Sequence, residues 1–273
     1  MTLDTLHLVK ALILGIVEGV TEFLPVSSTG HLILAGQLLN FDAGSNKVFD
    51  VVIQLGSILA ILWVYHQRLI TTCRGAIQRD PVSLRFIRNV IIGFVPSAVI
   101  GFLFIDQIQA VLFRPTVVAT MLVIGGVVII LTERFATRRT TEDAADMHWR
   151  QALAVGVAQC FAVIPGTSRS GSTIVGGILS KMSRKAATEY SFFLAIPTML
   201  GATTLDLIKY HSGLTTNDMA AIVVGLISAF ISALVVVRLL VRFVESRSLS
   251  VFGWYRILFG GALLLAPMLH LSW

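Results

Sequence analysis

Charge is scarce in this chain. Asp, Glu, Lys and Arg make up 13% of its 273 residues, against about 25% in an ordinary soluble domain. So few charged groups cannot cover a water-facing surface, and a soluble globular fold is excluded. Cysteine is nearly absent. Cys73 and Cys160 lie far apart and in no CxxC spacing, so neither a disulfide framework nor a thiolate metal site is expected. Cys160 falls in an apolar run and reads as a small core residue. Strand-like alternation is missing, which argues against a transmembrane barrel. A basic face with interleaved aromatics is lacking as well, so the net charge of +6 does not point to nucleic acid. The start, MTLDTLHLVK, has no basic n-region, and the apolar stretch after it contains Glu18. A cleaved signal peptide is therefore not expected.

Apolar residues are plentiful: 55% of the chain, with a mean hydropathy of +0.84. That composition belongs to a polytopic membrane protein. Six stretches are near the length of a spanning helix: 48–66, 89–105, 116–132, 187–205, 219–241 and 251–271. Two further segments, 6–39 and 148–180, are apolar but interrupted, the first at Pro25-Val26-Ser27-Ser28 and the second at Pro165-Gly166-Thr167-Ser168. Proline removes a backbone donor and clashes with the preceding turn, and a serine after it can cap a new helix.

The loops suggest an orientation. Arg68, Arg74, Arg79, Arg85 and Arg88 lie between the first two spans, and Arg134, Arg138, Arg139 and Arg150 follow the third. Arg242 and Arg247 separate the last two, with Arg238 and Arg256 at span ends; Lys47, Arg114 and Lys209 are nearly alone in the alternate loops. The positive-inside rule makes the rich set cytoplasmic. Arg150 and Lys181, Arg184 and Lys185 then flank the second broken segment on the same side, so that segment is read as a re-entrant hairpin. The first resembles it: ALILGIVEG from Ala11 aligns with ALAVGVAQC from Ala152, Glu18 matching Gln159. Each is followed by three spans. Three is odd, so the halves insert in opposite senses, which is an inverted-topology repeat. The expectation is one all-α membrane domain, 1–273, with halves of about 1–135 and 148–273, each one re-entrant helical hairpin plus three transmembrane helices. Both chain ends are expected outside. Gly125-Gly126 and Gly260-Gly261 allow packing within the chain or between two copies, so a homodimer stays open.

Non-helical backbone at membrane depth must be buried in protein or line a watery cavity. Hairpins entering from opposite leaflets would bring their tips, PVSSTGH and PGTSRSGST, together near the midplane. Each tip opens a half-helix, and two helix N-termini facing one cavity make an anion trap. Arg169 can fork onto phosphate or carboxylate oxygens; alternatively it pairs structurally with Glu18 or Glu22. Gly166 and Gly171 allow close backbone approach. Ser168, Ser170, Ser172 and Thr173 offer hydroxyls, as ligands or as helix caps. Glu18 and Glu22 share a helix face and repel unless a cation or proton lies between them. Mg²⁺ held with waters and substrate oxygens is one answer; a protonated glutamate acting as acid or base is the other. His31 lies on the same half-helix face as Ser28. Either Ser27 or Ser28 is a nucleophile activated by His31 or Glu22, or His31 attacks and a serine positions the substrate. Asp50 and Glu189, each near the start of the span after a hairpin, read as helix N-terminal carboxylates.

EGVTEFLPVSSTGH and PGTSRSGST resemble the two signature regions of the bacterial undecaprenyl-diphosphate phosphatases of the bacitracin-resistance type. The resemblance implies an integral enzyme of the cytoplasmic membrane, with its active site opening to the outer face. Such enzymes remove the terminal phosphate of a C55 polyprenyl diphosphate, returning the monophosphate carrier to cell-wall synthesis. It implies a divalent cation, Mg²⁺ or Ca²⁺, and matches Glu18 and Glu22 to the family's essential glutamates; as the carboxylate pair they are the expected metal holders, with Glu22 also expected to be catalytic. It makes Ser28, His31 and Arg169 catalytic and assigns Ser27, Ser168, Ser170 and Thr173 to phosphate contacts; Gly166, through its close backbone approach, is expected at the substrate as well. The chain lacks the later histidine that phosphatidate phosphatases of type 2 carry after their SR pair. An inverted-repeat carrier for anionic lipids is the rival from another class. The Glu18, Glu22 and His31 group favours catalysis, because transport needs no nucleophile.

Overall fold

The structure, a computed structural model, describes residues 5–41, 47–112, 114–136, 139–210 and 216–266. All its regular elements are helical. The first broken segment forms α1 (Thr5–Thr21) and α2 (Ser28–Leu38), and the second forms α7 (Trp149–Cys160) and α8 (Arg169–Leu179). Within each pair the two helices pack against each other, so both are hairpins. The remaining helices are α3 (Lys47–Val64), α4 (His66–Ile77), α5 (Pro81–Leu112), α6 (Pro115–Phe135), α9 (Arg184–Tyr210), α10 (Thr216–Ser246) and α11 (Ser250–Leu265). The expected outer loop near Lys47 falls largely on 42–46, Arg138 on 137–138 and the end of the last span on 267–271, all outside the described residues.

Among the described residues, α5, α6 and α10 are each long and apolar enough to cross a membrane, and α3 with α4 makes a bent fourth candidate. With their many outward apolar side chains they form a multi-pass membrane protein. Six comparable spans were expected, and two departures have physical causes. α9 is long enough but polar, because it runs through the protein interior: Thr188, Tyr190, Ser191, Phe192 and Leu194 are all fully buried. A helix wrapped by protein need not be apolar all round. α11 ends as an apolar helix of 16 residues at the edge of the described chain.

The sequence reading also lacks α4. The chain bends by 71° after Val64, and α4 buries none of its residues. Apolar Ile70 and Ile77 share it with Arg68 and Arg74, the pattern of a helix lying along an interface. Arg68 ties α4 to the second half: Nη2 donates to Asp143 at 2.5 Å and Nη1 to Glu189 at 3.1 Å. Glu189 is therefore an ion-pair partner in the second turn of α9, not the helix-end carboxylate expected. Asp50 does lie in the first turn of α3.

Helix pairing follows a pattern. α1 packs on α10 and α7 on α5, while α3 meets α9 and α6 meets α11. Glycines allow the closest approaches. A Cβ on Gly156 of α7 would stand 2.5 Å from the Gly93 carbonyl of α5, and one on Gly15 of α1 would strike the Gly225 carbonyl of α10. Gly126 and Gly253 face each other across α6 and α11 in the same way. Small residues that let backbones touch are the usual means of helix association in lipid. Gly125, Gly126 and Gly260 are thus taken up by packing within the chain, while a Cβ on Gly261 meets open space.

Candidate active site at the meeting of the hairpin tips

Both hairpins break in the same way. After α1 the chain leaves helical geometry through Glu22–Val26 and starts α2 from Ser27; after α7 it passes one 3-10 turn, Phe161–Val163, and starts α8 from Ser168. Ser27 and Ser168 both sit in the left-handed region, at φ 72° and 74°. For a residue with a Cβ this costs on the order of 1–3 kcal/mol and persists where the surroundings enforce it. Ser168 recovers part of that by accepting from the Gly171 N–H at 3.1 Å; Ser27 makes no such cap. Gly166, at φ +89°, needs its missing side chain for a second reason, since a Cβ there would press into the Val118 backbone.

The two tips touch. Arg169, first residue of α8, donates through Nε and Nη2 to Glu22 Oε1 at 3.3 and 3.1 Å. Its Nη1 donates to the Ser191 carbonyl on α9 at 3.2 Å, and its guanidinium lies 5.9 Å from the Phe23 ring centre. Glu22 Oε2 accepts from Ser28 Oγ at 2.6 Å. One carboxylate therefore joins the hydroxyl of one tip to the guanidinium of the other. Ser170 Oγ donates to the Leu24 carbonyl at 2.8 Å, a second bond between the tips. Thr173 is fully buried; its hydroxyl lies within hydrogen-bond distance of the Arg169 and Ser170 carbonyls and of Ser191 Oγ at 2.6 Å. Ser170 and Thr173 are thus engaged by protein groups beneath Arg169. Ser27 lends its carbonyl to His31 and Ser168 caps α8.

His31 belongs to the same tip but turns toward α11. Ring Nδ1 lies 2.8 Å from the Ser27 carbonyl, which can only accept, so Nδ1 carries the proton. Nε2 then accepts from the Tyr255 hydroxyl at 2.6 Å. The imidazole stacks on Phe259 at 4.6 Å and on Tyr255 at 5.7 Å. This orients the basic nitrogen as a second partner orients a catalytic histidine.

Glu18 lies one turn before Glu22 and is fully buried, and neither carboxylate oxygen has a hydrogen-bond partner. It lies within electrostatic reach of Glu22, Asp50 and Arg169. Orphaned carboxylate oxygens beside a second glutamate suit a hard divalent cation. Among the described residues no three His, Cys, Asp or Glu side chains converge to hold a metal, so such an ion would complete its shell with water and substrate oxygens, as Mg²⁺ commonly does.

Two side chains that touch the hairpin tips escape sequence reasoning. Tyr255 is one. The other is Arg256, counted from sequence as an orientation charge at a span end but in fact fully buried. An arginine inside an apolar run is costly unless partnered. That argument singles out Arg169 and applies equally to Arg256.

Comparison with known proteins shows the family. The family model for the bacitracin resistance protein BacA matches residues 11–262. The chain belongs to the BacA family. Relatives of similar length come from several organisms. A Shewanella oneidensis protein named undecaprenyl-diphosphatase 2 is 54% identical over 260 residues, covering 94% of this chain and 97% of its own. An Acinetobacter baumannii undecaprenyl-diphosphatase is 52% identical over 266 residues, covering 97% and 98%. One from Bordetella avium is 50% identical over 273 residues, covering 95% and 97%. The matched range includes both tips, Tyr255 and Arg256.

Proposed function

We propose that this protein is an undecaprenyl-diphosphatase of the bacterial inner membrane. It removes the terminal phosphate of undecaprenyl diphosphate, releases the monophosphate carrier for cell-wall synthesis, and thereby confers bacitracin resistance. Kinship to named undecaprenyl-diphosphatases supports the substrate. The observation that carries the chemistry is the hydrogen-bonded run from Ser28 through Glu22 to Arg169, which links the two tips.

In this reading Arg169 and the N-terminal turns of α2 and α8 bind the diphosphate oxygens. Charge stabilisation of this kind supplies most of phosphoryl-transfer catalysis. Once Arg169 turns to the terminal phosphoryl group, Glu22 Oε1 is released while Oε2 keeps its hydrogen bond from Ser28. Oε2 then accepts the Ser28 proton. Ser28 Oγ bonds to the terminal phosphorus, the bridging P–O bond breaks, and undecaprenyl phosphate leaves with that oxygen. Water attacks the phosphoseryl phosphorus and gives one proton to His31, the P–Oγ bond breaks, Glu22 returns its proton to Ser28 Oγ, and inorganic phosphate leaves. His31, held through Nδ1 and Tyr255, serves proton transfer beside this path. Glu18 and Glu22 would hold Mg²⁺ or Ca²⁺, which when bound neutralises phosphate charge.

The halves are inverted repeats, the hairpins re-enter from opposite leaflets, and the site opens to the periplasmic face. Matching breaks at Ser27 and Ser168, and the matching pairs α1–α10 and α7–α5, support it.

The test is phosphate release from undecaprenyl diphosphate by purified, metal-supplied protein in detergent. Arg169→Ala should lower kcat by about 10²–10³, and Ser28→Ala should abolish a burst of phosphoenzyme. Absence of phosphate release from the folded wild-type protein would overturn the reading and favour a lipid carrier.

A further inference from the structure

Arg256 lies on α11, outside both hairpins, yet it holds both tips. Its guanidinium has five N–H donors, and all five are used. Nε donates to the Leu122 carbonyl at 3.2 Å and Nη2 to that of Met121 at 3.0 Å, both on α6. Nη1 donates to the Pro25 carbonyl of the first tip at 3.2 Å and to the Thr167 carbonyl of the second at 2.9 Å. Nη2 also donates to the Gly166 carbonyl at 3.0 Å. The side chain is fully buried.

Neighbouring residues make room for it. A Cβ on Gly125 of α6 would stand 2.6 Å from the guanidinium carbon, and one on Gly171 would stand 3.3 Å from Nη1. The guanidinium thus lies directly behind the first turn of α8. None of its five acceptors is a carboxylate. Neutral carbonyls satisfy its donors but leave its positive charge standing, and in a low-dielectric interior that charge acts on nearby anions.

We infer that Arg256 is a positioning residue. It fastens the two hairpin tips to α6 and to each other, so that Ser28, Glu22 and Arg169 keep one geometry, and it adds an uncompensated positive charge behind the diphosphate site. This rests on the phosphatase reading for the ligand; the fastening of the tips does not.

The test compares Arg256→Met and Arg256→Lys in the full chain, with folding checked by size exclusion and circular dichroism. Lysine keeps the charge but has three donors for five carbonyls. Arg256→Lys should therefore keep KM within about threefold while kcat falls about tenfold, and Arg256→Met should also raise KM about tenfold. Amide hydrogen exchange should accelerate at 22–28 and at 164–169 together, and not at 186–195 in α9. Should neither variant fold, Gly125→Ala presses a methyl group onto the guanidinium from α6, and the same joint loosening is expected. Wild-type kinetics with unchanged tip exchange in any folded variant overturns the inference, as does loosening of one tip alone. If wild-type protein releases no phosphate, the substrate reading fails, while tip exchange still decides the clamp.

Discussion

The two hairpin tips share a backbone and differ in chemistry. Ser27 and Ser168 take the same unusual φ, and the residues after them open helices of 11 residues each. From there they diverge. Ser28 of the first tip stands where the second has Arg169, and Glu18 stands where the second has Gln159. Gln159 donates from its amide nitrogen to Ser97 Oγ at 2.6 Å and Thr198 Oγ1 at 3.1 Å. Neither carboxylate oxygen of Glu18 accepts a hydrogen bond. One hairpin therefore carries carboxylates and a hydroxyl, and the other carries the cation and an amide that is bonded through its nitrogen while its Oε1 stays unpartnered. Two hairpins of like backbone can divide a reaction in this way, because each need supply only one sign of charge at the shared boundary.

The sharpest break of that division is the link itself. Glu22→Gln and Arg169→Ala should each cut phosphate release by about 10²–10³. The pair is buried, with 8% and 11% side-chain exposure. Removing one partner should cost about 3–5 kcal/mol in stability, and the double variant should cost less than the sum. Simple additivity in thermal melts would show that the pair is not coupled.

Glu18 and Gln159 offer a reciprocal test. Glu18→Gln makes the first hairpin like the second; phosphate release should fall about tenfold or more through weaker metal binding, with the melting temperature held or raised because a buried carboxylate is removed. Gln159→Leu should leave phosphate release unchanged and lower the melting temperature, since the Ser97 hydroxyl loses its donor. Equal effects of the two on activity would end the division of labour. Tyr255→Phe removes the donor to His31 while keeping the stack, and should lower kcat/KM about fivefold. Activity equal to wild type would show that His31 needs no such orientation.

The smallest effects concern the strained serines. Ser27 has no cap bond to lose, so Ser27→Gly should raise stability by about 1 kcal/mol by relieving its positive φ. Ser168→Gly loses the bond to the Gly171 N–H as it gains the same relief, and should change stability by about 0.5 kcal/mol or less. Melting curves that rank the two in the other order would contradict the strain argument.

Much of the site is legible from sequence. Proline followed by serines in apolar runs marks both tips, because such runs tolerate broken helix only where it is protected. Glu22, Ser28, His31 and Arg169 declare themselves by being polar where polarity is costly. Arg256 and Tyr255 declare less, since they sit in a run that otherwise reads as a plain span, and their partners lie on elements up to 231 residues away. α4 is hidden because its apolar residues continue those of α3, and only the bend separates them. The Arg68–Glu189 pair spans 121 residues and no local pattern predicts it.

Composition and local pattern alone determined that the chain lives in a membrane, where its two hairpins break, and which side chains at their tips carry the costly polarity. They act through burial cost and backbone geometry, which are properties of a segment and its solvent. Tertiary structure alone decided that Glu22 binds Arg169 and not Glu18's neighbourhood of charge, that His31 leans on Tyr255, and that Arg256 belongs to the site and not to the loops. Those choices depend on directional hydrogen bonds between groups far apart in the chain, and only packing brings such groups within reach.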